Sequence, residues 1–201
     1  MPQYKTVLTL ALILVLLAEF AAIMGIFSDS NELVQNVTNV RGEQVSLYGK
    51  GIYRHMPADV APQGIAQDYV TLFLGIPLLL IALIGSQAGT IRARLMLAGV
   101  LAYFLLTYLY WMSMVTYNDL FPIYVILTGL SMFSFMLVML HLPPRKVKSV
   151  FIDPIPRKTA GWFLIIGSTM TALNWLSIIV PPWAQGTVPK ELYHFTTLIV
   201  Q

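Results

Sequence analysis

An acidic side chain in the middle of an apolar run is the first residue of this sequence that could do chemistry. Glu19 is the one ionisable residue between Thr6 and Ser28. It falls about two residues past the centre of that run, roughly 3 Å beyond it at 1.5 Å of helix rise per residue. If the run crosses a bilayer, an ionised carboxylate there costs at least a few kcal/mol, so the side chain is expected to face protein or water. Its neighbours Ala18, Ala21, Ala22 and Gly25 are small, and such spacing lets another helix approach closely. Two roles compete for Glu19: a hydrogen bond that locks helices together, or a group that binds a ligand or handles charge. General acid–base catalysis needs a second, positioned group, and the sequence offers none.

Four more residues complete the candidate ligand-binding set of Glu19, Asp68, Tyr103, Tyr110 and Asn174. Gly99, Tyr103, Thr107, Tyr110, Met114 and Tyr117 recur at steps of three and four, so they share a helix face. That face could line a pocket for a small apolar or aromatic ligand oriented by phenol groups. The plainer reading gives Tyr117, Tyr110 and Trp111 to an interfacial aromatic belt. Asn174 lies in a polar stripe with Ser168, Thr171 and Ser177, whose simplest role is helix packing. Asp68 precedes an apolar run, where an acid usually caps or lends charge to a first helical turn. His55, His141 and His194 have no mutual metal-ligand spacing, and no H-E-x-x-H, P-loop, dinucleotide or nucleophile-elbow motif occurs. No metal or cofactor is therefore expected.

The elements that must position these residues are long and apolar. Tyr69–Ile91, Leu95–Asn118, Leu120–Leu140 and Thr159–Pro189 lack Asp, Glu, Lys and Arg altogether. A hydrocarbon core of about 30 Å takes roughly 20 residues of helix. Five spanning helices are predicted, near 6–28, 65–87, 95–117, 120–141 and 159–180. Apolar residues make up 57% of the chain and charged residues 10%, against about 25% charged in an average soluble domain. The predicted class is all-α: a polytopic transmembrane bundle, one integral domain over 1–201, with the lipid bilayer as its first partner. Gly75 and Pro77 predict a kink in the second helix, and Pro181-Pro182 a stop to the fifth. A net charge of +3 gives no reason to expect nucleic acid, and the absence of cysteine excludes disulfides and thiolate chemistry.

Loop charge orients the bundle. With the N-terminus inside, the inner segments hold Lys5, Arg92, Arg94, Arg145, Lys146, Lys148, Arg157 and Lys158. The outer segments hold only Arg41, Lys50, Arg54 and Lys190. A cytoplasmic N-terminus follows. The first run is too long for a signal-peptide core and reads as a retained helix, although Ala18, Ala21 and Ala22 could supply a cleavage site. Between 29 and 63 lies an extracytoplasmic loop in which Val37, Val40, Val45, Leu47, Ile52 and Tyr53 alternate with turn formers. A β-hairpin or two is expected there, followed by an extended return through Arg54-His55-Met56-Pro57. Asn36-Val37-Thr38 matches a glycosylation acceptor, but a single tripeptide is weak grounds for a modified site. The segment from Pro189 to Gln201 echoes the one that starts at Pro62: proline, a polar turn, an aromatic, then Thr-Leu opening an apolar run. The echo suggests a parallel repeat, with 192–201 as the start of a sixth helix cut short by the chain end.

The segment Ala66–Leu140 carries Gln67-Asp68-Tyr-Val-Thr-Leu, Gly75-Ile-Pro-Leu-Leu-Leu, Ala102-Tyr-Phe and Tyr117-Asn-Asp-Leu-Phe-Pro-Ile-Tyr-Val. In these it resembles a group of uncharacterised bacterial multi-pass membrane proteins. The resemblance implies a bacterial inner (cytoplasmic) membrane and further helices, and supplies no activity. Two functional expectations follow from the residues themselves. The first is a binding or transport-related module with a polar pocket open to the outside. The second is a structural or signalling subunit whose outer loop meets a protein partner. An intramembrane enzyme ranks third.

Overall fold

The backbone hydrogen bonds of an apolar chain must be met internally, and here helices meet most of them. The computed structural model describes residues 2–29, 36–38, 42, 44–143, 145, 147 and 157–187. The chain divides into two compact units, Met1–Pro143 and Pro144–Gln201. Among the described residues five helices are long and apolar enough to cross a membrane.

In the first unit, α1 (Pro2–Phe27) leads to strands β1 (Asn36–Thr38) and β2 (Gln44–Ser46). A short 3-10 turn, Gly51–Tyr53, follows. The second long helix is α2 (Ala61–Val70) and α3 (Ile76–Ser86) joined by a π-helical turn, Thr71–Gly75. Then come α4 (Ile91–Met114) and α5 (Phe121–Leu140). α5 packs against both α1 and α4, and α3 against both α4 and α1, so the helices close a ring. Small residues bring α1 into it: Ala11, Ala18, Ala21 and Ala22 are buried, as are Ser131 and Ser134 on α5. Large apolar side chains point the other way. Leu16, Phe73, Ile84, Leu106 and Leu140 are all more than half exposed, an apolar outside of the kind that marks an interaction surface with membrane or protein.

The kink expected at Gly75-Pro77 takes the form of the π turn. Proline removes the hydrogen bond to the residue four before it and crowds that carbonyl. A wider turn just upstream relieves the crowding, with the Ile76 amide reaching Thr71 O.

Among the described residues the loop contains one hairpin, with Asn36 opposite Ser46 and Thr38 opposite Gln44. Its chain then folds back on itself rather than running extended. Tyr48 N donates to Met56 O at 2.9 Å, and Met56 N to Tyr53 O at 2.9 Å. The expected extended return at Arg54–Pro57 is thus a tight turn. The turn is pinned to the end of α1, where Ser28 Oγ accepts from Ile52 N at 2.9 Å. Beside it Gly51 adopts φ +54, in contact with Ser28, which favours a residue without Cβ.

In the second unit, α6 (Arg157–Gln185) runs straight through Pro181 and Pro182, against the expected stop. The helix ends where Gly186 takes φ 63, a left-handed residue that closes helices. The expected sixth helix over 192–201 lies outside the described residues.

Candidate functional site

The polar groups that the helices bury meet at the loop end of the first unit. Asp68 is the centre. Because α2 begins at Ala61 and not near 65, Asp68 stands two turns into the helix and is no cap. Its side chain is 7% exposed, on the stripe Ala61, Gly64, Asp68, Thr71 and Gly75 that faces the bundle. The Tyr53 hydroxyl donates a hydrogen bond to Asp68 Oδ2. Opposite, α1 offers Gly25, where any Cβ would collide with the carboxyl group. Glycine there lets α1 close over an acid.

Tyr53 comes from the loop yet is only 1% exposed. Burial pushes its phenol well above the ordinary value, and the nearby charge of Asp68 and the Tyr124 phenol push it further. Its ring stacks on Trp111 with centroids 5.5 Å apart, and Trp111 stacks on Tyr124 at 5.7 Å. The stack continues through Tyr108 to Phe104, which Tyr103 meets edge to face. Gly64 leaves the space that the Trp111 ring uses, since a Cβ there would lie 2.8 Å from it. At the α4–α5 turn, Asn118 Oδ1 accepts from Leu120 N at 2.9 Å. The buried Asn118 amide nitrogen has no partner among the described residues. Outside this cluster Arg54 pairs with Asp119 at 3.2 Å, a second tie between the loop and that turn.

Within the first unit the sequence-predicted residues do not assemble, and Asn174 belongs to the second unit. Glu19 is exposed on α1, and among the described residues it makes no hydrogen bond or ion pair. The expectation that it faces the bundle is corrected: the small residues chosen as its neighbours form the packed face, and Glu19 projects beside it with Leu16, Phe20 and Ile23. Tyr103 is half-buried and engaged, taking a hydrogen bond from Gln67 Nε2 at 2.9 Å and lying 3.1 Å from Thr71 Oγ1. Tyr110 is 56% exposed. The face predicted for α4 is offset from the buried one, which is Leu97, Leu101, Phe104, Tyr108 and Trp111. Trp111 is therefore a core residue and not part of a belt. Asn174 is exposed on α6 within its own unit. Asp68 alone of the set occupies a built polar site.

Sequence reasoning missed Tyr53, Gly25 and Trp111 as members of that site. A faint signal was present: Tyr53 follows a run of turn glycines, and Gly25 is the last small residue of the packed stripe of α1. The arrangement couples a carboxyl group to a phenol inside an aromatic wall, and among the described residues no three metal-ligating side chains converge. No family model, curated protein or solved structure matches this chain.

Proposed function

We propose that this chain is a non-enzymatic subunit of a cell membrane, N-terminus cytoplasmic, whose bundle holds the turn at 47–60 as an outer cap that a protein partner recognises. The observation that carries this reading is the burial of Tyr53, a loop residue, against Asp68 and Trp111 of two membrane helices. Keeping a carboxyl group out of water costs several kcal/mol unless it is hydrogen-bonded. A cap residue that satisfies it ties the conformation of the loop to that of the helices. The exposed hairpin, with Val37 41% exposed, is then displayed on a fixed base. Less supports a small-molecule binding or transport role, since Glu19 and Tyr110 point outward and Tyr103 already has partners.

The test places a photo-crosslinking residue at Val37 or Gln44 in the full chain in its own membrane. The expected result is one discrete polypeptide adduct whose yield drops when Asp68→Ala unfastens the cap. Lipid-only adducts, or a yield indifferent to Asp68→Ala, would refute the reading.

A further inference from the structure

The outward face of α1 has its own order. Thr9, Ile13, Leu16, Phe20, Ile23 and Phe27 are all exposed, and they follow one another at steps of four, three, four, three and four. That is the spacing of a left-handed helix–helix seam. The opposite face of α1 is already committed to α3 and α5. Beside the middle of this seam, which no element of the first unit covers, stands Glu19. It is three residues past the centre of the Lys5–Phe27 span, within roughly 5 Å of mid-bilayer. A headgroup lies about 15 Å from that plane, out of reach of one glutamate side chain. A lipid-facing seam would need no acid, and an ionised acid there with only hydrocarbon around it costs at least a few kcal/mol.

We propose that this face of α1 docks a transmembrane helix of a partner protein, and that the partner carries a basic side chain at mid-bilayer to pair with Glu19. Charge complementarity selects that chemistry: a cation neutralises the carboxylate where water cannot, and charged groups within membranes occur in such pairs. A second copy of this chain does not supply it. In a parallel pair of α1 helices Glu19 would lie level with its own copy, acid beside acid, and neither α1 carries a cation between Thr6 and Phe27. The inference rests on the reading of the chain as a membrane subunit but concerns a surface separate from the outer cap.

The experiment puts the photo-crosslinker at Phe20 or Ile23 in the full chain in its native membrane. The expected adduct is a second polypeptide whose crosslinked helix holds a Lys or Arg near its middle. Its yield should fall about tenfold with Glu19→Leu and also with Glu19→Gln. Glu19→Lys combined with the partner's base changed to Glu should restore it. Glu19 is exposed in its unit, so the Val37 adduct should survive these changes and show that the fold is intact. The proposal is overturned by adducts confined to lipid or to a single chain, by a captured helix without a central base, or by a yield that ignores Glu19→Leu. Loss of the Val37 adduct alone would count against the outer cap and leave this surface standing.

Discussion

Asp68 and Tyr53 stabilise each other only as a pair. Removing the donor with Tyr53→Phe keeps the ring stack on Trp111 but leaves a buried carboxyl group unsatisfied, at a cost of about 2 kcal/mol. The pH dependence follows from the phenol. Burial holds Tyr53 well above its ordinary 10.0 in the folded protein, whereas the unfolded chain ionises near that value. Above pH 10 the unfolded state therefore binds fewer protons than the folded one. The cap's stability is complete below about pH 10 and declines as pH rises past it. Phenolate absorbance, taken as wild type minus Tyr53→Phe, should show Tyr53 ionising only together with release of the cap. A smooth titration near pH 10 with the cap still closed would contradict this assignment.

At the scale of elements, much was legible in the sequence because apolar length and proline position are local signals. The five long helices, the hairpin around Gly42 and the distortion ahead of Pro77 all follow from residues within a turn or two of the feature. Helix ends were less legible. Val60 and Ala61 carry no capping side chain, which left Pro62 in the first turn as the start signal of α2; without weight on that proline the start was placed near 65 and Asp68 was misplaced into a first turn. Facing was the least legible. In a soluble helix polarity marks the outside, but a helix bathed in hydrocarbon shows large apolar side chains outward and small ones inward. Read that way, Ala11, Ala18, Ala22 and Gly25 define the inside of α1 and exclude Glu19. The partnership of Tyr53 with Asp68 depends on where a folded loop lands, which no local pattern encodes.

For the whole molecule, orientation is the property that every outward-facing reading requires. A cytoplasmic N-terminus puts the hairpin outside and the Gly89 turn inside. Both positions are accessible, and the chain has no cysteine of its own, so single substitutions report cleanly. Ser46→Cys should react with an impermeant thiol reagent in intact cells, and Ala88→Cys only after the membrane is opened. The reverse pattern would invert the molecule and move the cap to the cytoplasm.

The order of residues along the chain has a consequence for synthesis. Gly25 and Tyr53, the two groups that enclose the Asp68 carboxyl directly, both leave the ribosome before it does, while Trp111 and Tyr124 follow later. In a chain that spans a bilayer as proposed, the acid would follow its hydrogen-bond donor and its glycine seat, and the aromatic wall would close around a contact already made. A nascent chain arrested with Gly89 just clear of the ribosome should show this as a covalent trap. With cysteine replacing both Gly25 and Asp68, whose side-chain positions nearly coincide, a disulfide should form before α4 has left the ribosome. If bridging waits until α5 has been synthesised, the wall, and not the early pair, is what draws the carboxyl group into the membrane.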